Sequence, residues 1–432
     1  MKPRLFTIAV IFILFLNISF GQDAAAIKYI KENAVPIDTN INELSDLMPL
    51  KSIFEGRRII GMGEATHGTH EFQIEKFRMM KFLVTEMDYR LFGIEANFTE
   101  CRQVNDYVLY GTGDVKQVVA GMIDWAWKTS EVVQMVEWMR NYNISKSDDH
   151  KVKFYGFDMQ FDALPEKRIT EKLKKFDSRY FDAHFNMLDS LHIYDMHKNI
   201  FTVYSKEKRD SVKALLDQLA KYAAAHENEL LKLFTADEVE YNKRDIRLLQ
   251  QCLDENDEMT GTTKSMLTAR DKYMAENIEW ILDHEGKNSK MLLWAHNGHI
   301  SKHDFRMGWY LEKKYEDEYY AIGFDFNKGA FKAYDLKNGG IKTDFTVQNA
   351  IKGTSGQVFS DLNIPVFFID IEKAVKTGSR AKNFFTEKIS QRAIPAAFST
   401  DQESSLYFAD ALFHEYDGLI FVDATTATHL AK

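Results

Sequence analysis

The sequence predicts an α/β protein: a three-layer α/β/α arrangement with a mostly parallel central sheet and a helical insertion. Short runs rich in β-branched and aromatic residues recur along the chain, each flanked by Gly, Asp or Asn. These runs are nearly continuous in apolar residues rather than alternating, which suits strands covered on both faces. Helical patterns separate most of them, as parallel connections require.

In chain order the strand runs are "RRIIGMG" (57–63), "RLFGIEAN" (90–97), "KFYGFDM" (153–159), "KMLLWAHNG" (290–298), "YYAIGFDF" (319–326), "IPVFFIDI" (364–371) and "DGLIFVDA" (417–424). Between the first two, Phe77, Met80, Val84 and Met87 repeat at helical spacing. Residues 71–87 are therefore read as a crossover helix with one buried stripe, completing a βαβ unit. From 162 to 288 the strand signals nearly vanish, and segments such as "SVKALLDQLAKYAAAHENELLKLF" and "TARDKYMAENIEWILDHE" mark the helical insertion. Strands resume after 300. The "NKG" inside "YYAIGFDFNKGAFKAYDL" predicts a hairpin turn, with an antiparallel pair near the sheet edge. The chain thus divides into a leader (1–21), a first part of the core (22–161), the insertion (162–288) and a second part of the core (289–432).

The leader reading rests on "MKPRLFTIAVIFILFLNISFGQ": Lys2 and Arg4, an apolar run from Leu5 to Leu16, then small residues near Gly21. That run is short for a spanning helix, and no second stretch of roughly twenty apolar residues follows. A soluble protein exported to the periplasm or beyond is expected, with no stable membrane partner after signal removal. Losing Lys2 and Arg4, and no acid, moves the formal charge of the 432-residue chain from −9 to −11. Such an acidic surface argues against nucleic acid as a partner. With only Cys101 and Cys252, a cysteine-rich scaffold and a four-cysteine zinc site are excluded, and both are read as free, buried thiols.

Binding residues of open α/β sheets collect beyond the carboxyl ends of the strands. There the first strand offers Glu64 and His67, the second Glu95 and Asn97, the third Asp158, and the fourth His296, Asn297 and His299. A carboxylate closing a run as apolar as "LFGIEAN" needs a partner. Gly61 and Gly63 are read as letting the first strand turn sharply, and Gly68 as leaving room beside His67. His70 is read as solvated or supporting, and His303 and His414 as ordinary surface or packing histidines. Trp125 and Trp127 suit a pocket wall or helix packing.

No G-x-S-x-G elbow, no G-x-x-x-x-G-K-[ST] loop and no complete dinucleotide fingerprint is present. A carboxylate–imidazole pair without a nucleophile suits activation of water, with His67 taking a proton and a glutamate fixing its tautomer. His296 or His299 would donate to the developing oxyanion or the leaving alcohol. The same two histidines and two glutamates also suffice to hold a divalent metal, as in a metal-dependent hydrolase or peptidase. A non-catalytic haem- or ligand-binding cleft is the third possibility these residues leave open.

"GEATHGTHEF", "GIEAN", "YGFDMQ", "RDKYMAENIEWIL", "LLWAHNGHI" and "DGLIFVDATTAT", in this order between about 45 and 427, resemble the erythromycin esterase family. The resemblance implies a hydrolase that opens a carboxylic ester or macrocyclic lactone with activated water, with no covalent intermediate, metal or cofactor. By position, His67 matches the general base, Glu64 its orienting acid and Glu95 the second acid. His296 and His299 match histidines that contact the substrate. Arg78 stands near a family arginine; with Asn297 and Asp158 it joins the expected substrate-binding set. The implied partner is a small-molecule ester or lactone.

Overall fold

The structure, a computed structural model, describes residues 24–191, 193–195, 200–201, 204–258 and 263–431. The leader lies outside the described residues. The central sheet has ten strands: β1 (Val35–Pro36), β2 (Ile59–Met62), β3 (Leu91–Asn97), β4 (Lys153–Asp158), β5 (Met291–Trp294), β6 (Tyr319–Asp335), β7 (Ile341–Val347), β8 (Val366–Asp370), β9 (Ala397–Phe398) and β10 (Gly418–Thr425). Their spatial order is β1-β8-β10-β6-β2-β5-β3-β4, with β7 and β9 also pairing with β6. The centre, from β10 to β4, is parallel throughout, and β1, β8 and β7 add antiparallel pairs. The fold is the mostly parallel α/β sheet expected.

Alternation along each strand splits the core in two. Ile60, Met62, Phe92, Ile94, Leu292 and Trp294 face one apolar cluster, while Ile59, Leu91, Met291 and Leu293 face another. Helices α1 (His70–Glu86), α2 (Phe98–Tyr110) and α3 (Ser130–Asn143) contribute to the first cluster. Among the described residues four long helices lie between β4 and β5: α4 (Ala163–His184), α5 (Lys206–Ala225), α6 (Ala236–Glu258) and α7 (Thr263–Glu285). The second cluster is covered by α7 and by α8 (Met307–Tyr315). Helices α4, α5 and α6 enclose a third cluster of their own around Leu173, Leu216 and Leu249.

Three expectations are corrected. First, β6 runs unbroken through Asn327, Lys328 and Gly329, and the turn to its antiparallel partner β7 falls at 336–340 instead. Gly329 sits in this strand at φ 136°, and a side chain there would strike the backbone of Thr425 on β10. The glycine serves a close approach of strands rather than a turn. Second, α1 is buried on nearly every side, including Glu75, Lys76 and Arg78. Third, β2 and β3 do not touch, because β5 lies between them, pairing with both. This inserted strand, some two hundred residues later in the chain, sets the "AHNGH" stretch between the two acid-bearing turns. Cys101 and Cys252 are free and buried, as expected.

Candidate active site

The turn after β2 is fixed on every side by main-chain hydrogen bonds. Gly63 N–H donates to Ile322 O (2.8 Å), Asn297 N–H to Glu64 O (2.9 Å), Ile394 N–H to Ala65 O (2.8 Å) and Lys332 N–H to Gly68 O (3.0 Å). Neither Gly63 nor Gly68 has positive φ. A side chain at Gly63 would collide with Asn297 Oδ1, and one at Gly68 with the Lys332 backbone. Close packing demands these glycines: at Gly63 in place of the expected turn geometry, and at Gly68 against the Lys332 backbone where room beside His67 was expected. At Gly61, inside β2, the neighbour is the Tyr319 ring.

Held in this turn, Glu64 is completely buried and meets three donors. His67 Nδ1 lies 2.6 Å from its Oε1, while Lys76 Nζ (3.2 Å) and Trp294 Nε1 (2.7 Å) reach its Oε2. Burial alone would raise the Glu64 pKa, but Lys76, His67 and Trp294 outweigh it and keep the carboxylate ionised. With Nδ1–H donated to Glu64, the His67 tautomer leaves Nε2 as the basic nitrogen. Among the described residues no hydrogen-bond partner meets Nε2. Burial would lower the His67 pKa; Glu64, then Glu95 and Asp124, overcome this and raise it. Trp127, buried in a short turn after α2, packs edge-on against both His67 (centroids 5.8 Å apart) and Trp294 (5.3 Å).

A second group of charges centres on Glu95, at the end of β3. Its Oε1 accepts from Arg270 Nη2 (2.9 Å) and lies 3.2 Å from His299 Nε2, and its Oε2 accepts from His296 N–H (2.8 Å). Arg270 also binds Asp158 through Nη2 (2.6 Å), and Asp271 Oδ1 lies 2.7 Å from His299 Nδ1. Burial lowers the His299 pKa, but Glu95 and Asp271 together lift it to about 9, so this imidazole is a cation at neutral pH. Glu95 is held well below the usual carboxylate range: burial is overcome by His299 and Arg270.

His296 behaves differently. Its Nδ1 accepts from Gly298 N–H (3.3 Å) and its Nε2–H donates to Ile394 O (3.2 Å). Burial, with the neighbouring His67 and His299, pushes its pKa down to about 3. It is a neutral imidazole with both nitrogens engaged, and its ring lies 5.1 Å from that of His67.

Five expected residues, Glu64, His67, Glu95, His296 and His299, therefore lie in one connected cluster, with Asp158 tied in through Arg270. Asn97 and Asn297 have other tasks. Asn97 caps α2 through Thr99 N–H, and Asn297 bonds both the N–H and the carbonyl of Phe324 on β6. Arg78 is corrected: fully buried, it binds the carbonyls of Asp38, Asn40 and Glu43 and the carboxylates of Asp46 and Glu75. The cation against Glu64 is Lys76, two positions earlier. His70 binds buried Glu131 (2.6 Å), a supporting position.

Sequence reasoning missed Lys76, Trp294, Arg270, Asp271 and the Ile394 carbonyl. The Arg-Asp pair opening "RDKYMAENIEWIL" was the available signal, because two buried acids at neighbouring strand ends require a cation.

A family model described as Erythromycin esterase matches residues 84–425, a span that begins after Glu64 and His67 and includes the Glu95, Arg270, His296 and His299 group. The chain is 24% identical over 327 residues to the Putative hydrolase YbfO of Bacillus subtilis (strain 168), covering 70% of this chain and 72% of that one. It is 22% identical over 389 residues to an Erythromycin esterase type II of Escherichia coli, covering 81% and 90%. The solved structure of a mutant erythromycin esterase EreC in its open conformation is similar in fold, with a TM-score of 0.70 over 93% of this chain and 99% of that one at 15% identity.

Proposed function

The chain belongs to the erythromycin esterase family of hydrolases, and on that premise we propose that it cleaves a carboxylic ester or macrocyclic lactone with water activated by His67. The observation that carries this reading is the His67–Glu64 pair: Nδ1 is locked 2.6 Å from a buried, ionised carboxylate, which leaves Nε2, without a hydrogen-bond partner among the described residues, as the base. His67 Nε2 takes a proton from water as the water oxygen bonds to the substrate carbonyl carbon. The tetrahedral oxyanion then collapses, the C–O bond to the alcohol breaks, and the imidazolium returns its proton to the departing oxygen. A lactone so treated yields an open-chain hydroxy acid. His299 and Arg270 supply fixed positive charge to the cleft, while neutral His296 supplies shape and a rigid link to Ile394.

The engagement of the donors supports a reaction without a catalytic metal. Every nitrogen of His296 and His299, and Nδ1 of His67, is already hydrogen-bonded or paired within the protein. Glu95 is likewise saturated by Arg270, His299 and the His296 amide. A screen of macrocyclic lactones and simple acyl esters, with His67→Ala as the blank, tests the proposal. Turnover that survives His67→Ala would refute it, and chelator-sensitive turnover would favour the metal-dependent reading. The proposal extends to location: the leader (1–21) would send the enzyme out of the cytoplasm, as fractionation of producing cells would test.

A further inference from the structure

Away from the Glu64–His67 cluster, four side chains of the kinds that ligate metals converge from two chain segments. His303 lies in the loop after the short helix Asn297–Ile300, Asp410 in the strand Tyr407–Ala411, and His414 and Glu415 in the helix Leu412–Glu415. One donor atom from each lies within 4.8 Å of all the others. We propose that His303, Asp410, His414 and Glu415 form a site for a divalent cation of the zinc type, which clamps the hairpin over the active site to the loop behind "AHNGH".

Spacing is the first argument. A tetrahedral zinc with nitrogen and oxygen ligands at about 2.0–2.2 Å sets its donor atoms roughly 3.3–3.5 Å apart. His303 Nε2 and His414 Nδ1 lie 3.5 and 3.4 Å from the same oxygen, Asp410 Oδ2. Both separations are long for hydrogen bonds and right for shared coordination. A second cluster, His70, Glu131 and His429, makes the contrast: its histidine nitrogens lie 2.6 and 2.8 Å from Glu131 Oε1, closed hydrogen bonds with no room between them.

Charge is the second. Among the described residues no lysine or arginine pairs with the Asp410 or Glu415 carboxylate. Two carboxylates balance the charge of a divalent ion, and with two imidazoles they make up its preferred ligand set. Ser301 Oγ donates to Glu415, and Ala411 N–H donates to Asp410 Oδ1 (2.7 Å), so both carboxylates are already oriented. The imidazoles of His303 and His414, 45% and 49% exposed, leave an entry from solvent.

Position gives the site its consequence. Tyr407–Ala411 pairs antiparallel with Lys388–Arg392, and the segment joining them carries Ile394. Ile394 accepts from His296 and donates to Ala65, so a cation at Asp410 would brace the base of the element whose tip holds the active-site turn.

The test is calorimetric titration of Zn²⁺ into chelator-stripped, full-length mature protein, with thermal melting alongside. One equivalent should bind and raise the melting temperature. His303→Ala/His414→Ala should lose at least about a hundredfold in affinity together with the thermal shift, while His70→Ala/His429→Ala keeps both. Absence of binding, or binding retained by the first double variant, overturns the proposal. On the unaltered chain, Co²⁺ should give the intense visible absorption of a tetrahedral site, and a weak octahedral spectrum would also overturn it. Chelator-sensitive turnover that persists in His303→Ala/His414→Ala would instead place a metal at the Glu64–His67 cluster.

Discussion

Lys76 Nζ lies 3.2 Å from Glu64 Oε2, and neither side chain has any exposed surface. The ammonium also rests over the rings of Phe324 (4.4 Å) and Trp294 (5.0 Å). Burial pushes the Lys76 pKa down to about 8, with Glu64 opposing. The pair is thus a buried counter-charge for the acid that orients His67. Lys76→Met should strand a buried carboxylate and destabilise the fold by about 3–5 kcal/mol. Lys76→Met/Glu64→Gln should recover much of that stability but not the activity. Chemical denaturation of the single and double variants measures both, and a single variant as stable as wild type would contradict the pairing.

His67→Ala should remove ester cleavage, with a loss of at least about 10²–10⁴-fold in kcat, while thermal unfolding stays near that of wild type. The His67 side chain is 11% exposed, and among the described residues its side-chain hydrogen bond is to Glu64 in the same turn. Glu64→Gln keeps the shape but removes the charge that stabilises the imidazolium, so its kcat should fall with little change in KM. An equal fall in kcat in both variants is the expected signature of one unit, although Glu64→Gln, which leaves the buried Lys76 ammonium without its counter-charge, should also be less stable than His67→Ala. A Glu64→Gln enzyme of full kcat would show that the acid is dispensable.

The acid limb of the pH profile follows from the raised His67 pKa. The base works only when deprotonated, so kcat/KM should fall as pH drops through a value above the ordinary imidazole value of about 6.5. Glu95 is one of the charges that raise it. Glu95→Gln should therefore move the surviving limb to lower pH as well as depressing the rate. Movement to higher pH would mean that another group titrates in this limb.

Much of this was readable from residue patterns, for definite reasons. All seven strand runs were legible because burial on both faces leaves continuous apolar stretches, as in "IPVFFIDI". Glu64, Glu95 and Asp158 stood out because an acid at the end of such a run is conspicuous. The order of the strands was not legible: nothing local tells β5 to insert between β2 and β3, since that pairing joins residues far apart in the chain. Lys76 and Arg270 were hidden for a related reason. Each lies within a helix, where a basic residue reads as a solvated face until tertiary packing turns it inward. "NKG" misled because a glycine that admits a neighbouring strand has the same letter as one that makes a turn.

Asp271 gives the last prediction, since its link to the proposed chemistry runs through His299. Its Oδ1 lies 2.7 Å from His299 Nδ1 and also accepts from Met307 N–H (3.0 Å), acceptor tasks that an asparagine oxygen can keep. What Asp271→Asn removes is the charge, together with the Oδ2 acceptor of Arg306 Nη1 (3.3 Å). The His299 pKa, about 9 in the intact site, is held up by Glu95 and Asp271 against burial, so the substitution should lower it. If the His299 cation supports the oxyanion, activity in the wild type is lost as pH rises through that value. In Asp271→Asn the same alkaline limb should shift toward neutrality, while the acid limb set by His67 stays where it was. Imidazole resonances followed by NMR titration would report the His299 shift independently of turnover. A lowered His299 pKa with an unmoved alkaline limb would remove His299 from the chemistry and leave Arg270 as the cation that faces the developing charge.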